Sequence, residues 1–251
     1  GGGIFIVNSD PIINNIEIID NFAGEYGGGA SLHHSSASFT NFTISGNTGS
    51  GGFQKGGGIF CESTPNASFI DGVISENTYP YIGAGIATSA AMYDTSSFHV
   101  ELTNVIIQNN VSRMWGGGIA GQNINLTGCT IINNSAEYLG GGIFSEGNII
   151  FSPTNRSNIY NNTIEDSNDV GHDIAIEINY YGIPQSSLDV ILDTFTVRDP
   201  LDYYATPIDS FTFDITFGLD QLSANDEIIT NNFALFSPYP NPFNPITTIR
   251  F

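Results

Sequence analysis

Acid–base chemistry needs titratable partners within reach of each other, and this chain is rich in only one kind. It carries 25 Asp and Glu against 5 Lys and Arg, with 4 His and 2 Cys, for a net charge of -20. A polysaccharide lyase needs clustered carboxylates around Ca²⁺ and a basic group to take a proton; a hydrolase needs two carboxylates about 5–10 Å apart. The basic residues are Lys55, Arg113, Arg156, Arg198 and Arg250. None has a recognisable acidic pair beside it in sequence. His33 and His34 are adjacent, so on a strand they point to opposite faces. His99 stands alone beside Val100, and His172 fills a place that glycine holds elsewhere. No residue is assigned a catalytic role, and no cofactor is expected. Asp20 and Glu76 each precede an asparagine of a repeated motif. They offer at most weak surface Ca²⁺ binding, because hard cations take six to eight oxygens.

Two cysteines do not make a disulfide framework. Cys61 and Cys129 fall at different places in the repeat described below, two rungs apart. They are predicted to be free, buried thiols, because a disulfide needs Cα atoms within about 7 Å.

The acidic balance also bounds the partners. A chain with a single lysine cannot neutralise phosphates, so nucleic acid and anionic membrane surfaces are excluded. No apolar run approaches the roughly 20 residues of a membrane span. The chain opens on Gly1 within a repeat and is expected to be a fragment or a processed product.

These side chains must be positioned by the repeat. Glycine-rich triplets followed by an apolar residue begin at Gly1, Gly27, Gly56, Gly83, Gly116 and Gly140, with a decayed copy at Gly171-His172-Asp173-Ile174. A second marker, Ile-x-x-Asn, keeps near-fixed phase with the first: Ile18/Asn21, Ile44/Asn47, Ile74/Asn77, Ile107/Asn110, Ile131/Asn134 and Ile159/Asn162. The units contain short β-rich stretches broken by Gly, Asn, Ser and Asp, and no sustained helical period. That pattern predicts an all-β fold: a right-handed, single-stranded parallel β-helix of about seven coils over residues 1–198.

Each marker has an expected task. The glycines suit a crowded corner, and the residues after them (Ile4, Ala30, Ile59, Ile86, Ile119, Ile143) should stack inward. The second isoleucine set should form another internal stack. The six asparagines, Asn21, Asn47, Asn77, Asn110, Asn134 and Asn162, should occupy left-handed turn positions and hydrogen-bond along their column as an Asn ladder. Insertions around Ala90 to Ser97 and Thr48 to Lys55 should project as loops.

The pairing of Gly-Gly-x with apolar-x-x-Asn resembles the polymorphic outer-membrane proteins and related adhesin-like β-helices, over about residues 1–197. Here isoleucine fills the aromatic slot of the family's second motif. The resemblance implies a surface-exposed β-helix. The same fold class, the pectin-lyase-like β-helix, houses polysaccharide lyases and hydrolases, whose characteristic catalytic motifs are absent here.

After Val197 the repeat stops. Residues 199–232 carry alternating segments such as Phe211 to Phe217 and are expected to cap the column or link it onward. Residues 233–251 contain four prolines, Pro238, Pro240, Pro242 and Pro245, which hold the chain extended. The run Tyr239-Pro240-Asn241-Pro242-Phe243-Asn244-Pro245, continued by Thr247-Thr248 to Phe251, resembles the first strand of the C-terminal sorting domain of type IX secretion cargo, truncated here. That resemblance implies recognition by the secretion machinery through the complete tail. The combined expectation is a secreted or outer-surface, non-catalytic, adhesin-like or structural module that meets an extracellular surface or polysaccharide. A secreted polysaccharide lyase or glycoside hydrolase is the alternative.

Overall fold

The computed structural model describes residues 1–50, 55–79, 81–89, 99–145, 149–152, 154–165 and 171–176, together with the backbone of strands within 190–217. The chain divides into compact units Gly1–Gly218 and Leu219–Phe251. The second unit, with the sorting-motif residues Tyr239 to Phe251, lies outside the described residues. So does the insertion at Ala90 to Ser97.

Every described element is a strand, and the paired strands are parallel. Each coil contributes to three sheets in turn. In the second coil these are Ala30–His33, Ser38–Ser45 and Thr48–Gly49; in the third they are Ile59–Glu62, Ala67–Ser75 and Thr78–Tyr79. The third sheet has six strands, so there are six complete coils. The first sheet goes further, through Ile174–Ile176 to Tyr203–Ala205. Val190–Val197 pairs with Phe211–Phe217 in a separate two-stranded sheet.

The register is the one the repeat requires. Ile4, Ala30, Ile59, Ile86, Ile119, Ile143 and Ile174 are successive partners on the first sheet. Ile18, Ile44, Ile74, Ile107, Ile131 and Ile159 are successive partners on the second. Stacking places like side chains about 4.8 Å apart, and both columns are buried from the second coil onward. Phe39 and Phe69 stack between them at 5.1 Å. Gly72 leaves the space that the Phe42 ring occupies; a Cβ there would collide with that ring.

The corners are built from residues with positive φ. The first glycine of each triplet supplies one column: Gly27, Gly56, Gly83, Gly116, Gly140 and Gly171. The third glycine is needed for another reason. A Cβ on Gly58 would lie 2.6 Å from the carbonyl oxygen of Gly85 on the next coil. One sequence expectation is corrected at the opposite corner. The left-handed residue is the one before the ladder asparagine, namely Asp20, Gly46, Glu76, Asn109, Asn133 and Asn161 at φ 55–65°. Reversing the chain and aligning an amide with the column axis are different tasks, and consecutive residues perform them.

Candidate functional site: the inner ladder and the outer faces

The asparagine column is a continuous hydrogen-bond network. From Asn47 onward, each Asn receives two bonds on Oδ1 from the Asn of the preceding coil, one from its backbone N–H and one from Nδ2. Asn77, for example, donates to Asn110 Oδ1 from N and Nδ2, both at 3.0 Å. The same pattern links Asn21 to Asn47, Asn47 to Asn77, Asn110 to Asn134 and Asn134 to Asn162. Nδ2 also donates backward to an isoleucine carbonyl, as Asn110 does to Ile74 at 3.0 Å. From Asn47 to Asn162 the column is buried. A carboxamide fits because it supplies two donors and a two-fold acceptor in one plane.

The last rung was not visible as a rung in sequence. Asn162 donates from N and Nδ2 to Asp173 Oδ1, at 3.3 and 2.9 Å. Asp173 is buried, at 7 % exposure. A position that receives and need not pass the bonds on can use a carboxylate, which only accepts. Through the change from glycine to aspartate at Gly171-His172-Asp173, that aspartate supplies the last rung among the described residues. His172, in the second place of that triplet, is half-buried, and its carbonyl accepts from Gly142 N at 3.0 Å.

A second, exposed column runs along the middle of the second sheet. Asn15, Asn41, Asp71 and Asn104 have positive φ there, and Gly128 takes the place on the next coil. Their side chains are linked loosely, as in the 3.0 Å bond from Asn104 Nδ2 to Asp71 Oδ1. At the ladder corner, Asp20 and Glu76 are exposed turn residues with Gly46 between them.

The outer face of the first sheet carries an arrangement that sequence distance hid. Ser31 Oγ lies 2.8 Å from His33 Nε2, and His33 Nδ1 lies 2.6 Å from Glu62 Oε2. Residues 31 and 33 share a face of one strand, and Glu62 is the register partner of His33. The separations match a nucleophile–base–acid relay. The surroundings do not serve one. Ser31 is fully buried, and its strand is paired on both sides, so its backbone N–H serves the sheet rather than an oxyanion. The His33 ring packs against Phe5, Tyr26 and Phe60. The trio ties two coils together.

Beside it, a small second core covers the same sheet. Trp115 stacks on Phe144 there at 5.4 Å, whereas Tyr26 stacks on Phe60 at 4.8 Å beside His33. Lys55, Ile82, Trp115 and Leu139 bridge from coil to coil. The signal was present in the chain: the residue before each of these triplets is large. It goes unnoticed when the repeat is read from its first glycine onward.

Both thiols are free and buried. Burial raises the Cys61 thiol far above its ordinary range. Burial also raises Cys129, opposed in part by hydrogen bonds from its surroundings, so that it is pushed up to about 11. Neither thiol is poised for chemistry.

Among the described residues, the third sheet holds a candidate for contact with a ligand. Its outer face forms an open groove of about 490 Å³ that includes Thr48, Thr78, Val111, Arg113, Glu137 and Glu165. Ser112, Ala136 and Ile164 are register partners on three adjacent coils. The residues that follow them, Arg113, Glu137 and Glu165, therefore occupy equivalent places. Arg113 Nε lies 3.8 Å from Glu137 Oε2, with the arginine side chain 76 % exposed. Such a pair contributes at most about 1 kcal/mol to stability, so its interest lies in what it offers a ligand. Sequence reading separated these three residues because their neighbours in space are a whole coil away. No group of three or more His, Cys, Asp or Glu able to hold a metal ion occurs among the described residues.

No family model, curated protein or solved structure matches this chain.

Proposed function

We propose that this chain is the β-helical part of a secreted or surface-displayed protein, non-catalytic, acting as an adhesin-like or structural module exported by the type IX secretion system. The observation that carries the reading is the column itself. Its inside is bound coil to coil by the asparagine ladder, and its outside offers polar residues at a regular repeat. Rigid solenoids with long uniform faces suit extended binding surfaces. The tail run from Tyr239 to Phe251 supports the export route by its resemblance to a sorting-domain strand. The test is expression of the chain with a complete sorting domain in a host that has the secretion system. Protease-accessible protein on intact cells is expected, along with its loss when the residues from Tyr239 onward are deleted. Retention inside the cell with the full tail present would overturn the reading.

The second reading, a secreted polysaccharide lyase or glycoside hydrolase, is favoured by one observation: Glu137 and Glu165 occupy adjacent rungs beside Arg113. Carboxylates flanking a glycosidic bond are the usual hydrolytic pair. The release of reducing ends or unsaturated uronates from polysaccharides distinguishes it.

A further inference from the structure

We infer that the groove on the third sheet binds a non-acidic polysaccharide chain lying along the axis of the column. This deepens the adhesin-like reading and rests on it for the biological setting only. Thr48, Thr78 and Val111 are successive register partners, so they form a straight file on three coils. Phe22 begins that file, 60 % exposed, and Val111 is 45 % exposed. Arg113, Glu137 and Glu165 carry the groove on to the sixth coil. The five rungs of the groove, from Thr48 to Glu165, span roughly 19 Å at the inter-strand spacing. The site is thus long, narrow and open, the form that suits a linear chain rather than a compact small molecule.

The chemistry of the lining matches sugar rings. Thr78 Oγ1 donates to Thr48 Oγ1 at 3.0 Å, which aligns two hydroxyls on neighbouring rungs. Hydroxyls, carboxylates and a guanidinium supply both donors and acceptors for sugar hydroxyls. Val111 offers apolar surface to the C–H faces of the rings, and Phe22, exposed one rung beyond Thr48, extends it. Charge selects among glycans. The groove holds two carboxylates against one guanidinium, on a chain of net charge -20. Polyuronates are repelled by that field, whereas neutral chains are accepted and amino-sugar chains are attracted. Binding is expected to weaken with salt for the amino-sugar chain and to be nearly salt-independent for the neutral one.

The experiment is calorimetric titration of the full chain with a glucosamine hexamer, a neutral glucose hexamer and an oligogalacturonate. Binding of at least one non-acidic hexamer, with the oligogalacturonate weaker, is the expected result. Glu165→Gln should weaken the glucosamine hexamer roughly tenfold, and Thr78→Val the neutral hexamer to a lesser degree, as losses of single hydrogen bonds. Glu17→Gln, on the second sheet, should change neither. These side chains are exposed, so melting temperatures should hold; if one variant unfolds, Glu137→Gln and Thr48→Val repeat the reading.

No binding at millimolar ligand would overturn the inference. So would equal affinity for oligogalacturonate, groove variants that bind like the parent, or an oligolysine control that binds at least as tightly as the glycans. Cleavage of a bound hexamer would support the groove and sink the non-catalytic reading. Surface display without glycan binding would do the reverse.

Discussion

Asn109 and Asn110 are neighbours of the same residue type, and they hold opposite places in the molecule. Asn109 is exposed, at φ 55°, in a column that also admits Asp20, Gly46 and Glu76. Asn110 is fully buried, and every other complete coil has an asparagine at its place. The turn column asks only for a backbone that tolerates positive φ, which several residue types manage. The ladder column asks for two donors and a two-fold acceptor in fixed geometry, which Asn alone meets at that size. A repeat thus shows two kinds of constraint side by side: one conformational and permissive, the other chemical and strict.

The largest effect should come from putting charge into the core that both columns enclose. Ile107 is fully buried, so Ile107→Asp should cost several kcal/mol and abolish a cooperative melt. A melting temperature near that of the parent would contradict the internal stack.

The comparison itself is sharpened by one substitution made twice. Asn110→Gly removes side-chain bonds to Ile74 and Asn134 and takes away the acceptor of two Asn77 bonds. It should cost about 2–4 kcal/mol by denaturant titration. Asn109→Gly should change stability by no more than about 0.5 kcal/mol, since glycine already serves at Gly46 and adopts positive φ freely. Equal costs would mean that the ladder is not what distinguishes the columns.

A smaller effect is expected at the end of the ladder. Asp173→Ala removes the acceptor of two Asn162 hydrogen bonds and should cost about 1–2 kcal/mol. Asp173→Asn keeps an acceptor and should cost less. If the order were reversed, Asp173 would not be acting as the last rung.

The smallest effect concerns the thiols, and it appears only in base. Both folded-state pKa values lie above the ordinary thiol value of about 8.5. The native state therefore keeps its protons longer than the unfolded state. The associated stability is intact below about pH 8.5 and is lost as pH rises from there toward about 11 for Cys129. Unfolding midpoints measured across this window should fall, and both thiols should resist alkylation in the native protein at neutral pH. A mass gain of two hydrogens on reduction would show instead that they were paired.

The coil was legible in sequence because Gly-Gly-Gly-Ile and Ile-x-x-Asn recur in phase, and stacking turns phase into register. Ile18 could be matched to Ile44 and Ile74 by counting. About seven coils were expected, and six are complete, with the first sheet running on beyond them. The tie between Ser31, His33 and Glu62 was not legible, because Glu62 reaches His33 through register while sequence places it 29 residues away. The groove was missed for the same reason. Arg113, Glu137 and Glu165 belong to three coils of different loop length, so no fixed spacing announces them.

What the sequence determined by itself was the period, the inward columns and the residue type at each rung, since these depend on local chemistry repeated in phase. Only the tertiary structure decided that the residue before each ladder asparagine, and not the asparagine itself, turns the chain. It also decided that Asp173 takes up the ladder after Asn162, and that three scattered charges meet on one face. The reason is geometric: side chains a whole coil apart in sequence become neighbours at about 4.8 Å only when the coils stack, and loop lengths set that alignment without leaving a regular mark in the chain.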